Sequence, residues 1–287
     1  MIERLAIIGV GMIGASLALA LKQAHAVNHV VGCGRNQLNL QKGVDLGVID
    51  SYTASIAEAA SSADVVVLAT PLGAMKQVFE QIVDIISEYT VITDTGSAKG
   101  SVIKIAQTVL GDKISQFVPG HPIAGAEKSG VEAGLADLYQ NRRVIITPLE
   151  STDPEAIAKI ESMWQACGAS IEYLGVEHHD KVLAATSHLP HMLAYGLVNY
   201  LSSLNDHDEI FKYAAGGFRD FTRIASSDPV MWRDVCISNG EALLTLIEGY
   251  KNELDQVSVA IRDGDQERLL ELFGKAKSER DSLIGNC

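Results

Sequence analysis

MIERLAIIGVGMIG, residues Met1 to Gly14, runs a short strand (Arg4 to Ile8) straight into a turn built on Gly9, Gly11 and Gly14, and a helical stretch from Ala15 to Lys22 follows. The three glycines have separate jobs in such a turn. The first makes the turn tight, the second lets backbone approach a pyrophosphate, and the third lets helix and strand pack closely. The helix N-terminus then presents unpaired N–H groups and a partial positive charge to phosphate. A glycine pattern by itself is weak, but here it sits between a strand and a helix at the start of the chain, which points to a bound dinucleotide.

Outward from this turn the chain alternates strand and helix. Strands are expected at His29–Gly32, Asp64–Ala69, Thr90–Thr93, Phe117–Val118, Val144–Thr147 and Ser170–Leu174. Helices are expected at Asn36–Leu46, Leu72–Ser87, Ser101–Leu110 and from Asp153-Pro154, an N-cap followed by Pro at the first helical position. Continuous Val/Ile runs such as DVVVLA mark strands buried on both faces, hence a parallel sheet covered by helices. After about Gly175 the strand signal ends, and Val182–Leu204, Ile210–Ser226, Pro229–Arg262 and Gln266–Ile284 read as helices. The expected architecture is therefore a doubly wound α/β Rossmann-type domain over 1–175 and an all-α domain over 176–287. The last two helices carry apolar residues at helical spacing, among them Leu243, Leu246, Ile247, Tyr250, Leu254 and Leu269, Leu270, Phe273.

The cofactor site is expected at Gly9, Gly11, Met12, Ile13 and Gly14, at Thr70 and Pro71 after the third strand, and at Gly34, Arg35 and Asn36 after the second. A site for NAD wants Asp or Glu at the end of the second strand to hold the ribose 2′-hydroxyl. That strand instead ends Val31-Gly32-Cys33-Gly34-Arg35-Asn36, with Gly34 where the acid belongs. Arg35 and Asn36 suit a 2′-phosphate, so NADP is favoured, with NAD as the alternative.

Composition narrows the rest. The 287 residues carry a net charge of −13, which argues against nucleic acid, since phosphate contacts need clustered Lys and Arg. No apolar run reaches the roughly 20 residues of a membrane helix, and the first residues do not read as a signal peptide. Cys33, Cys167, Cys236 and Cys287 form no CxxC pair, so no metal site or disulfide framework is indicated and a cytoplasmic location fits.

Three clusters carry candidate chemistry. Ser97 stands at a strand end in DTGSAKG, where a helix N-cap and a catalytic hydroxyl are both natural readings. His121 follows a buried strand in GHPIAGAEKSG, a place that packing explains poorly and acid–base chemistry explains well. In TSHLPH, Ser187, His188 and His191 fall within one helical turn beside Pro190, and no third ligand is spaced to complete a metal site. Further on, Arg219 and Arg223 lie i,i+4 among Phe218, Phe221 and Ile224, so one of them should face inward toward an anion such as a carboxylate.

DTGSAKG, GHPIAGAEKSG, TSHLPH and GGFRDFTRIASSDPVMW, in this order and spacing, resemble the prephenate/arogenate dehydrogenases of tyrosine biosynthesis, also called cyclohexadienyl dehydrogenases, over essentially the whole chain. The resemblance implies an NAD(P)-dependent oxidative decarboxylation of prephenate to 4-hydroxyphenylpyruvate, or of arogenate to tyrosine. It implies that His121 hydrogen-bonds the ring hydroxyl, that Ser97 orients it, and that Arg223 holds a substrate carboxylate. Ser187, His188, His191, Glu127, Gly216 and Trp232 match positions lining the substrate pocket, and the family is usually a homodimer through its helical domain. Two rivals are weaker. A β-hydroxyacid-type dehydrogenase would want a catalytic lysine in the helical domain, and a nucleotide-sensing module would leave His121 and Arg223 unexplained.

Overall fold

Strand β1 (Ile2–Ile8) shows why the first apolar run is continuous. Leu5 and Ile7 enter one hydrophobic core while Ala6 and Ile8 enter another on the opposite face. In β4 (Val65–Leu68), Val65 and Val67 join the first core and Val66 and Leu68 the second. Side chains alternate across a strand, so burying both faces demands apolar residues at every position. The structure is a computed structural model that describes residues 1–125 and 129–284.

Six strands form a parallel sheet in the order β3-β2-β1-β4-β5-β6, where β2 is Val27–Cys33, β3 Ser51–Thr53, β5 Val91–Asp94 and β6 Phe117–Val118. Helices α1 (Met12–Gln23), α2 (Gln37–Asp45), α3 (Ile56–Ala60), α4 (Met75–Ile82) and α5 (Gly100–Leu110) link them. The strand order reverses between β1 and β4, and ligands of such sheets bind beyond the carboxyl ends at that point. The doubly wound domain is as expected, with β3 and α3 as additions too short to show a period in the sequence.

The later strands correct the expectation of one sheet. β7 (Gly120–Pro122), β8 (Arg143–Ile146) and β9 (Ser170–Tyr173) form a separate three-stranded sheet, antiparallel between β7 and β8 and parallel between β8 and β9. His121 therefore lies within a strand, paired with Ile145, rather than in a loop after one. Helix α6 (Pro154–Ala166) starts as expected, with Asp153 capping Glu155 N.

The helical region is more broken than its periodicity suggested. Helices α7 (Val176–Leu183) and α8 (Leu189–Ser202) are joined by a π-helical turn over Ala184–His188, in which Leu189 N donates to Ala184 O. Pro190 has no N–H to continue the ladder, and a widened turn accommodates it. The expected helix 210–226 is split into α9 (His207–Lys212), α10 (Gly216–Thr222) and a 3₁₀ turn at Arg223–Ser226, with the break over residues 213–215 and Gly216-Gly217 opening α10. The expected helix 229–262 is split at Asn239 into α11 (Pro229–Ser238) and α12 (Gly240–Asp263), and α13 (Gln266–Ile284) follows.

The chain divides into two compact units, residues 1–240 and 241–287. In the second, α12 and α13 expose Leu244, Leu254, Ile261, Leu270 and Phe273. No helix among the described residues is long and apolar enough to cross a membrane.

Candidate active site

The glycine turn has the shape that a pyrophosphate needs. Gly9 takes φ 104°, and a Cβ there would fall 2.4 Å from Ala69 O, so this turn closes against the end of β4 only without a side chain. A Cβ at Gly14 would fall 2.5 Å from Gly9 O, which keeps α1 tight on the turn. A Cβ at Gly11 would meet nothing within 4 Å, so that position opens to space a ligand can enter. Gly11 is the N-cap of α1 and supplies no side-chain cap, leaving the N–H groups of Met12, Ile13 and Gly14 directed at that space. These residues fit a dinucleotide. Thr70 and Pro71 follow β4 after Ala69, at the same edge of the sheet.

Past β2, Gly34 has room. A Cβ there would make only an ordinary contact, 3.7 Å from Leu40. Arg35 is exposed. Asn36 is partly committed elsewhere: its side-chain oxygen caps α2 by accepting from Asn39 N at 3.1 Å. Asn39, which no sequence pattern singled out, donates from Nδ2 to Val10 O at 2.8 Å and accepts from Val131 N at 3.1 Å. It ties the glycine turn to the segment that follows His121.

Around His121 the packing is dense and polar. Its Nδ1 lies 2.9 Å from Nε2 of His179, whose own Nδ1 lies 2.8 Å from Asp180 Oδ1. Asp180 also accepts from the backbone N–H groups of Lys99 and Gly100, each at 2.8 Å. The start of α5 is thus satisfied by a carboxylate from α7, with Lys99 as N-cap. Ser97 is not the cap, which removes the structural reading of that hydroxyl. Lys99 is fully buried, bonded to Asp94 and to Gly120 O (2.6 Å), the residue before His121. Asp94 Oδ1 in turn accepts from Gly120 N at 3.2 Å. The two ends of β5 and β7 are held together by this pair, a buried charge with every contact paired.

Burial, aided by the Lys99 ammonium and the rings of His179 and His188, holds His121 well below the usual histidine range. It is a neutral imidazole. Burial also pushes His188 down to about 4, with Asp180 and the Ser97 backbone pulling the other way. His188 Nδ1 accepts from Asn239 Nδ2 at 3.2 Å, and the same amide donates to Asp180 O at 2.8 Å.

The TSHLPH residues meet the tryptophan of α11. Trp232 is buried, stacks on His191 with ring centroids 3.7 Å apart, and stands edge-on to His188 at 6.0 Å. His191 Nδ1 bonds Ser187 O at 2.8 Å, and burial lowers its pKa with the Arg223 charge adding to the effect. The Arg223 charge therefore reaches His191 electrostatically. Arg219 and Arg223 are both exposed, so neither turns inward as the aromatic interleaving suggested, and Gly216 is exposed too; of the two arginines only the Arg223 charge acts on His191. The structure thus gathers His121, His188, His191, Trp232, the Ser97 backbone and Arg223. Glu127 lies outside the described residues, and no group of three or more potential metal ligands occurs among them.

Sequence reading missed Asp94, Lys99, His179, Asp180 and Asn239. His179 left a trace: it falls i,i+4 from the buried Leu183 and so lies on the apolar stripe of α7.

The nucleotide-binding domain of prephenate dehydrogenase matches residues 17–173, and its dimerization domain matches residues 175–275. The chain belongs to the prephenate dehydrogenase family. Among the relatives of this family member is the cyclohexadienyl dehydrogenase of Zymomonas mobilis, 38% identical over 98% of this chain and 96% of its own. Prephenate dehydrogenase from Aquifex aeolicus, solved with hydroxyphenyl propionate and NAD+, superposes with a TM-score of 0.91 at 38% identity and covers 99% of both chains. Synechocystis arogenate dehydrogenase superposes at 0.79 with 27% identity, over 98% of this chain and 100% of its own. Prephenate dehydrogenase family membership makes the chain a nicotinamide-dependent oxidoreductase by kinship, and the glycine turn fits that cofactor.

Proposed function

We propose that this protein catalyses the oxidative decarboxylation of prephenate or arogenate, with His121 as the group that accepts the hydrogen bond of the ring hydroxyl. The observation that carries this reading is a neutral, buried histidine in β7, grouped with a histidine–tryptophan pocket that feels the Arg223 charge. Gly9–Gly14 would hold the dinucleotide through its pyrophosphate, and the bound group would supply a hydride acceptor, with loss of CO2 aromatising the ring. The protein positions and polarises. His121 draws the hydroxyl proton as carbonyl character develops at that oxygen, which stabilises the transition state more than the bound substrate. Ser97, on the loop between β5 and α5, orients the same hydroxyl, and Arg223 holds a carboxylate. Ser187, His188, His191 and Gly216 contribute to the pocket, and Trp232 adds an Nε1 donor that has no partner among the described residues.

Incubating the protein with each substrate and each cofactor, and following absorbance of the reduced nicotinamide, tests the reading. Turnover is expected with at least one pairing. None with either substrate sinks it.

For the cofactor we propose a preference for NADP, because Gly34 puts no negative charge where the 2′-phosphate would lie and Arg35 stands next to it. Gly34→Asp is expected to shift the ratio of kcat/KM values toward NAD, since the new carboxylate repels that phosphate and accepts the ribose hydroxyls. Room at Gly34 for a Cβ makes the substitution sterically mild. A wild type that already favours NAD overturns the assignment. We further propose a cytoplasmic homodimer, assembled through the apolar side chains that α12 and α13 expose, with 1–175 serving the cofactor and 176–287 the substrate and the partner copy.

A further inference from the structure

We infer that His179 and Asp180 are positioning residues that fix which ring nitrogen of His121 carries its proton. The inference deepens the proposed role of His121 and rests on it.

The argument starts at Asp180 and runs outward. Its carboxylate is held on both oxygens by backbone donors, Lys99 N on Oδ1 and Gly100 N on Oδ2, at the start of α5. Those bonds and the one from His179 keep the carboxyl ionised, below its usual range. An ionised carboxylate only accepts, so the nitrogen facing it, His179 Nδ1, carries a hydrogen. His179 is wholly buried, and with its single hydrogen on Nδ1 the ring presents a lone pair at Nε2. The hydrogen bond 2.9 Å beyond it is then donated by His121 Nδ1. His121, neutral and with its proton on Nδ1, is left with a lone pair on Nε2. That is the state a group needs to accept a hydrogen bond from a substrate hydroxyl. The opposite tautomer would offer an N–H and repel the hydroxyl hydrogen.

The same chain acts after the hydroxyl proton moves. When Nε2 takes that proton, His121 becomes an imidazolium whose Nδ1–H still points at His179. The negative charge of Asp180, one ring further on, stabilises the cation without itself becoming protonated. Because Asp180 also caps α5, it links the orientation of the histidine pair to the loop that carries Ser97.

The test uses the full-length enzyme with its best substrate and cofactor, and four substitutions. In wild type, long-range 1H–15N NMR of histidine-labelled protein is expected to show His121 protonated on Nδ1 and bare on Nε2. Asp180→Asn, which offers His179 an amide donor as well as an acceptor, is expected to move the His121 proton to Nε2 and lower kcat by roughly 10²-fold. His179→Leu leaves the α5 cap intact, removes the acceptor, and is expected to lower kcat at least about tenfold with substrate KM within about twofold. His179→Gln keeps an oxygen acceptor within reach and is expected to recover part of that loss. A merely structural role for His179 predicts equal damage from Leu and Gln. A wild-type His121 proton on Nε2, or a His179→Leu enzyme with wild-type kcat, overturns the inference. His121→Asn is the control that separates the two ideas. If it retains wild-type kcat, the role of His121 fails wherever its proton sits. If it is inactive while the His179 variants are not, only the positioning role fails.

Discussion

His121→Asn is expected to lower kcat by roughly 10²–10⁴-fold while leaving substrate KM nearly unchanged. The hydrogen bond it accepts strengthens as the hydroxyl-bearing carbon loses its hydride, so its loss falls on the transition state rather than on binding. The pH profile carries the same signature. Protonation of His121 abolishes its acceptor, but burial, Lys99, His179 and His188 all hold its pKa well below 6.5. Activity in the wild type should therefore stay level as pH drops through 6.5 and fall only at distinctly lower pH. Steady-state kinetics of both proteins check this. A mutant that keeps most of the wild-type kcat, or a wild type that loses half its kcat/KM near pH 6.5 through this histidine, removes His121 from the proposed role.

Arg223→Ala is expected to act the other way, raising substrate KM and sparing kcat. A carboxylate far from the reacting carbon is held equally in ground and transition states, which is uniform binding. Truncating one partner of a charge-assisted pair costs roughly 2–5 kcal/mol, and an exposed guanidinium such as this one belongs at the low end. That corresponds to a KM about 30-fold higher. Arg219→Ala is the comparison, with a small effect expected, because Arg219 does not act on the histidine–tryptophan pocket. Titration of substrate at saturating cofactor separates the two. An Arg223→Ala enzyme with unchanged KM means that another cation is the anchor.

The residues that were legible in the sequence are those whose role depends on neighbours within a few positions. The β1–turn–α1 unit was readable because Gly9, Gly11 and Gly14 act on backbone next to them, and the parallel sheet because burial on both faces writes an unbroken apolar run. The end of α7 and the start of α8 were harder. Their period continues across Ala184–His188, and only the missing N–H of Pro190 turns the local path into a π turn. The breaks before Gly216 and at Asn239 hid in the same way, because an apolar period says which face is buried and not whether the axis is continuous.

By itself, the sequence determined the dinucleotide turn and the doubly wound domain followed by helices, and it offered His121, Ser97, His188, His191, Trp232 and Arg223 among the candidates for the site. Only the tertiary structure decided how they are held. Asp180 reaches the start of α5 from some 80 positions away, His179 reaches His121 across 58, and Asn239 reaches His188 across 51. Asp94 from the end of β5 and Lys99 from the start of α5 clamp Gly120, and β7 joins a second sheet with β8 rather than the first. Such contacts have no period and no spacing rule, since each is a meeting of side chains at one point of a packed interior. They also set the charge state of the central histidine, because a pKa is shifted by what surrounds a ring in space.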